Sequence, residues 1–216
     1  RAELGTFVDG DLHCSKDKYL ELKTKHFLYD SDSNVAIDLL ALKLRTKHHR
    51  VSQFTALHIF VVTLRCDYTC KYCQVSRRQE DDGAFEMSKE SADAALKLVF
   101  MSPAKSLKIE FQGGEPLLNF ELIKYIVHQA QQSNRYAQKE MQFVVTTNLS
   151  NLNDEVIEFC RAEDIYLSTS LDGPEELHNK NRPRPGKDGY KKTIAGIKRI
   201  QSEIGVDRVS ALMTTT

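Results

Sequence analysis

The chain has 216 residues and balances 30 Lys+Arg against 30 Asp+Glu, with 41% hydrophobic and 28% charged residues. That length holds one large domain, or one domain with a small appendage, and can bury a sizeable core, which argues against a disordered chain. No apolar run approaches the ~18 residues of a membrane span, and the zero balance gives no signal for nucleic acid or an anionic membrane.

The first residues, RAELGTFVDGDLH, lack the basic flank and apolar stretch of a signal peptide, so a cytoplasmic location is expected. Residues 1–56 and 57–216 read differently. In the first part, KYLELKTKHFLYD (18–30) and VAIDLLALKLRTKHHR (35–50) have helical patterns, the second with Val35, Leu39 and Leu42 on one face. This part is expected to be a small, mostly helical appendage. From residue 57 strands and helices alternate. LHIFVVTL (57–64) is a short β-branched run and reads as a buried strand. A helix over 88–101 stops before Pro103. SLKIEFQ (106–112) is a second strand, followed by a helix over 120–133 with Asn119 as its N-cap. MQFVVTT (141–147) is a third strand, and the helix over 154–163 is capped by Asn153. IYLSTS (165–170) is a fourth strand. A helix over 189–204, with Ile194, Ile197, Ile200 and Ile204 at helical spacing, leads to a fifth strand at RVSALMTTT (208–216).

Buried strands alternating with helices imply βα units and a parallel sheet. The helices then lie on one face of a curling sheet or on both faces of an open one. Ending on a strand, the chain reads as a C-terminally incomplete domain. The polar stretches share one kind of position. RCDYTCKYC follows the first strand, GGEP the second, Thr147-Asn148 the third, and the Ser170–Gly173 segment the fourth. These are the C-terminal ends of parallel strands, where α/β folds bind ligands.

Five cysteines are present: Cys14, Cys66, Cys70, Cys73 and Cys160. An odd count without an export signal argues against a disulfide framework. Cys14 and Cys160 read as plain thiols, Cys160 on an apolar helix face. Cys66, Cys70 and Cys73 form Cys-x3-Cys-x2-Cys in the loop after the first strand. Thiolates bind soft metals and iron–sulfur clusters. Three ligands leave one iron of a [4Fe–4S] cube open to a substrate or cofactor, as an open position does at catalytic zinc. The competing reading is structural zinc. It needs a fourth ligand, such as Cys14 or His58, and only one Cys-x2-Cys arm is present.

With Tyr72 immediately before the last cysteine, the loop resembles the radical S-adenosylmethionine (SAM) superfamily. The resemblance implies that Cys66, Cys70 and Cys73 hold a [4Fe–4S] cluster whose open iron is chelated by the amino and carboxylate groups of SAM. One electron then cleaves SAM, and a 5′-deoxyadenosyl radical takes a hydrogen atom from substrate. The implied fold is α/β, a partial (β/α)6-type barrel with about five βα units in this chain. Tyr72 is implied to lie near the adenine.

The later motifs extend the resemblance. At Gly113-Gly114-Glu115, two glycines let backbone approach a ligand, and a carboxylate can accept from an ammonium group; the resemblance implies that this segment holds the SAM amino group. Asn148 offers a donor and an acceptor at the rim, and its family counterpart lies near SAM. Ser170 and Asp172, which can also be read as an Asp-Gly-Pro turn, are implied to contact the ribose or carboxylate. Arg182 is implied to pair with the SAM carboxylate, which suits its bidentate fork; Arg184 competes for that role.

The likeness runs from about Leu57 to Met213. It is similar to the peptide- and protein-modifying branch that includes the anaerobic sulfatase-maturing enzymes, and HIFVVTLRCDYTCKYCQVSRR also resembles maturases of the His-Xaa-Ser peptide system. The implied partners are a peptide or protein substrate and an electron donor such as a flavodoxin or ferredoxin, with no nucleic acid and no membrane. Two other readings stand beside it: a radical SAM enzyme acting on RNA or a small metabolite, and a non-catalytic zinc-binding interaction module. Glu110 alternates with Lys108 along its strand, so both face outward or into a wet barrel interior.

Overall fold

The computed structural model describes residues 5, 9, 17–25, 27, 28, 34–49 and 55–215. Cys14 and the final Thr216 lie outside them. Two compact units follow along the chain, Arg1–Gln53 and Phe54–Thr216. The first holds helices α1 (Asp17–Thr24) and α2 (Val35–Lys47). The helix expected over 18–30 thus ends earlier, and positions 26, 29 and 30 lie outside the described residues.

The second unit alternates strands with helices, with two helices between its last two strands. Its elements are β1 (Leu57–Thr63), α3 (Lys89–Met101), β2 (Ser106–Gly113), α4 (Phe120–Ala137), β3 (Glu140–Thr146) and α5 (Asp154–Ala162). They continue as β4 (Tyr166–Ser170), α6 (Glu175–Asn181), α7 (Gly189–Glu203) and β5 (Val209–Leu212). Every neighbouring strand pair is parallel, and the sheet order is β1-β2-β3-β4-β5. When spatial order follows chain order and each crossover is right-handed, all the helices fall on one face. The burial pattern agrees with that geometry. In β2, Leu107, Ile109 and Phe111 are buried against the helices, while Lys108, Glu110 and Gln112 point the other way. One core joins the strand residues Phe60, Phe111, Val145 and Leu167 to Leu96, Ile123, Ile157 and Ile200 of the helices. This is the α/β partial barrel expected, with a dry helix side and a partly open inner face.

Local chemistry sets the boundaries. Ser88 caps α3 by accepting from the Ser91 amide at 3.2 Å, and Asn153 caps α5 by accepting from the Val156 amide at 2.9 Å. Asn119 departs from expectation. A 3₁₀ turn, Pro116–Asn119, leads into α4, and Asn119 makes no cap bond. Its Nδ2 instead donates to the Val62 carbonyl at 3.0 Å and ties the start of α4 to β1. The short α6 is an element the sequence reading missed. Pro174 precedes it, and Glu175 and Glu176 complement the positive end of its dipole. Among the described residues no helix is long and apolar enough to cross a membrane.

Candidate active site

The three-cysteine segment leaves the end of β1 and is braced from two sides. On one side, the Cys66 amide donates to the Arg78 carbonyl at 3.1 Å and the Arg78 amide donates to Leu64 at 2.7 Å. On the other, the Thr69 amide donates to Pro183 at 2.8 Å and the Lys71 amide to Asn181 at 3.0 Å. The loop therefore rests on the linker between α6 and α7. Arg65 reaches across its base, donating to the carbonyls of Glu80 at 3.0 Å and Leu118 at 2.7 Å and pairing with Glu86. Tyr68 is fully buried beneath the loop.

A cavity of about 230 Å³ opens at this rim. Cys66, Cys70, Cys73 and Tyr72 line it from the cysteine loop, and Gly113 and Gly114 from the end of β2. Asn148 from the turn after β3, Ser170 at the end of β4 and Arg182 just after α6 also line it. Five stretches distant in sequence are thus brought together. Glu115 and Asp172 are not among the lining residues. Gln112 and Thr146 are, and the sequence reading missed them. Strand parity was the available signal: Gln112 shares the inner face with Lys108 and Glu110.

The two glycines, which line the cavity, also make a close backbone contact behind it. A Cβ on Gly113 would lie 2.1 Å from the Thr63 carbonyl oxygen, and one on Gly114 would lie 2.2 Å from that of Arg65. Both distances are far inside van der Waals contact with rigid backbone. The Gly114 amide donates to Thr63 at 2.9 Å and the Glu115 amide to Arg65 at 2.7 Å. The missing side chains let the β2 turn press directly against the root of the cysteine loop.

Glu115 is turned inward and does not line the cavity. It is 1% exposed. Its Oε1 accepts from the Thr147 hydroxyl at 2.5 Å and the Leu117 amide at 3.1 Å, and its Oε2 accepts from the Asn148 amide at 2.8 Å. The carboxyl joins the β2 and β3 turns, and burial pushes it up to about 7. Asp172 is likewise turned inward. It accepts from the Tyr72 hydroxyl, from Arg182 Nε at 3.0 Å and from the Thr214 amide at 3.2 Å.

Of the two competing arginines, Arg182 lines the cavity and Arg184 does not. Arg184 pairs with Asp188 and lies 3.6 Å from Asp67. The Asn148 side chain donates to Asp67 at 2.8 Å and accepts from the Ser150 amide at 2.8 Å, so it frames the rim as well as facing it.

Burial pushes the Cys66 thiol up to about 12, with the negative Glu115 and Asp67 adding to the effect. Burial raises Cys70 too, against the opposing charge of Arg182. A bound metal displaces the thiol protons. Among the described residues no three His, Cys, Asp or Glu side chains gather tightly enough to hold a single metal ion. A zinc site needs its sulfurs about 3.8 Å apart, from a Zn–S bond of ~2.3 Å. Three thiols that share one cavity supply the donors of a cluster, whose cysteines bind different irons. The donor set fits a [4Fe–4S] group, and Arg182 fits a carboxylate beside it.

Comparison with known proteins extends the geometry. The model of the Radical SAM superfamily matches residues 60–215. An uncharacterized protein of Methanocaldococcus jannaschii is 34% identical over 140 residues, 65% of this chain and 46% of that protein. A cysteine-type anaerobic sulfatase-maturating enzyme of Clostridium novyi is 26% identical over 137 residues, 62% of this chain and 36% of the relative. Among solved structures, native anSMEcpe with bound AdoMet and Cp18Cys peptide superposes with a TM-score of 0.61 at 22% identity, over 73% of this chain and 42% of that one. That likeness concerns the fold. The chain spans less than half the length of these relatives. The match runs from within β1 through β5 and includes the rim that gathers the three thiols, and the chain belongs to the radical SAM superfamily.

Proposed function

We propose that residues 57–216 form the SAM-cleaving core of a maturase that modifies a ribosomally made peptide or protein side chain, with residues 1–56 as an appendage. The observation that carries this reading is the convergence of Cys66, Cys70, Cys73 and Arg182 on one cavity. In this proposal the three thiolates hold the [4Fe–4S] cluster. Arg182 pairs with the SAM carboxylate, and the Ser170 hydroxyl bonds the ribose or carboxylate. The backbone of Gly113 and Gly114 faces the amino group, and Tyr72 and Asn148 close the rim. When bound, the cluster supplies the electron and SAM supplies the 5′-deoxyadenosyl group that takes a hydrogen atom from substrate. Glu115 acts from behind, fixing the β2 and β3 turns.

Two lines support a peptide substrate. The Clostridium novyi relative is named for maturing sulfatases, and the solved neighbour has both AdoMet and a peptide bound. The inner sheet face next to the cavity is also polar. Glu110 accepts from Gln112 Nε2 at 2.7 Å and from the Thr146 hydroxyl at 2.8 Å. Such a wall suits a solvated peptide segment better than a purely apolar ligand. The electron would come from a small redox protein such as a flavodoxin or ferredoxin, in the reducing cytoplasm.

The test is anaerobic reconstitution with iron and sulfide, reduction, and addition of SAM with candidate peptides. These would carry a sulfatase-type Cys or Ser in one set and His-Xaa-Ser repeats in another. The expected product is 5′-deoxyadenosine, raised by the right peptide and absent when Cys66, Cys70 and Cys73 are all replaced by Ala. Equal cleavage by that variant would contradict the proposal.

A further inference from the structure

Asp172 sits where three segments meet. The Tyr72 hydroxyl reaches it from the cysteine loop, Arg182 Nε from the end of α6 at 3.0 Å, and the Thr214 amide from beyond β5 at 3.2 Å. Its own amide donates to Nδ1 of the buried His178 at 3.4 Å. The Arg182 guanidinium carbon lies 5.2 Å from the centre of the Tyr72 ring, so the arginine is held from the side by a charge and over its face by an aromatic. The bond to Asp172 uses Nε and leaves the Nη donors of the fork for a second carboxylate. Asp172 itself is 1% exposed and lines no part of the cavity. A long side chain at a rim ordinarily loses rotamer freedom when it grips a ligand. Here that freedom is already gone.

We infer that Asp172 is a positioning residue, which fixes Arg182 for the carboxylate of SAM and fastens it through Tyr72 to the cluster loop. This rests on the reading of Arg182 as the carboxylate's partner, and it replaces the expectation that Asp172 touches the ribose or carboxylate directly. A direct ligand to the adenosine part would serve SAM with or without its carboxylate. A group acting through Arg182 serves only the carboxylate.

The test is equilibrium binding of SAM and of decarboxylated SAM to the anaerobically reconstituted chain, with iron content measured for each variant. Asp172→Asn should weaken SAM about 10- to 50-fold and leave decarboxylated SAM within about twofold, as expected for loss of a charge-assisted contact. Arg182→Gln should show the same selectivity, and the double variant should be no worse than Arg182→Gln, because the two act as one unit. Tyr72→Phe removes only one of the donors to Asp172 and should cost SAM about threefold, with the same selectivity; it decides the matter if Asp172→Asn fails to take up iron. Equal weakening of both ligands, additive losses in the double variant, or tighter SAM binding on removal of the Asp172 charge would each overturn the inference. Failure of the unsubstituted, iron-loaded chain to bind SAM would overturn the proposed function, and this inference with it.

Discussion

Glu115 and Asp172 stand at the same rim, after β2 and β4, and both are 1% exposed. Their surroundings drive them in opposite directions. Glu115 meets only neutral donors, from Thr147, Leu117 and Asn148, and burial pushes its carboxyl up to about 7. Burial also pushes Asp172 up, but the Tyr72 hydroxyl and the Arg182 guanidinium together outweigh it and hold the carboxyl below its usual range. One carboxyl is poised to exchange a proton near neutrality, and the other is a fixed charge. Neither faces the cavity. The acidic residues of these motifs therefore build the frame, while thiols, a hydroxyl, an arginine and two glycines line the cavity.

The largest expected effect comes from taking away the cation. Arg182→Gln leaves Asp172 buried without its partner, and should cost about 3–5 kcal/mol of stability at neutral pH, read by denaturant unfolding. Asp172 contributes stability above the ordinary carboxyl range and loses it as pH falls through its lowered value. The gap between variant and parent should therefore close below about pH 4.

Glu115 has the opposite sign. Its folded form binds the proton more tightly than the unfolded chain, so stability is greatest below 4.5 and falls as pH rises toward 7. The fall should be on the order of 3 kcal/mol. Glu115→Gln should remove that slope between pH 4.5 and 7, whatever its offset in stability.

Gly114→Ala strikes the frame from the backbone side. The added Cβ would meet the Arg65 and Leu64 carbonyl oxygens at 2.2 and 2.7 Å. A cost of about 2 kcal/mol is expected, with reduced iron uptake because the strain falls at the root of the cysteine loop. The smallest effect lies on the helix side. Ser88→Ala should remove the α3 cap for about 1 kcal/mol and leave SAM affinity unchanged.

Much of this was legible in the sequence because it depends on local pattern. The apolar runs placed the first four strands to within a residue or two, whereas the fifth, expected over 208–216, ends at Leu212. Asn153 starts its helix as expected, as a short polar side chain does at an N-cap, while Asn119 does not. The Cys-x3-Cys-x2-Cys spacing announced its chemistry without any fold. What escaped depends on where a side chain turns. Glu115 and Asp172 look like ligands in a motif, and only the neighbouring turns reveal that their oxygens are engaged. The choice between Arg182 and Arg184 rested on a contact at i,i+4: Asp188 claims Arg184 at the start of α7. Helix α6 is seven mostly polar residues, EELHNKN, too short to display an apolar period. It buries only His178 and Asn181, yet its end carries Arg182 and supports the cysteine loop.

The central claim is that three thiols and Arg182 meet around one SAM-binding cluster. The most direct measurement is electron paramagnetic resonance of the reduced, reconstituted chain before and after addition of SAM, together with metal analysis. About four irons per chain and a signal that shifts with SAM are predicted, and both should vanish when Cys66, Cys70 and Cys73 are replaced by Ala. Zinc in place of iron, or a cluster signal indifferent to SAM, would contradict it.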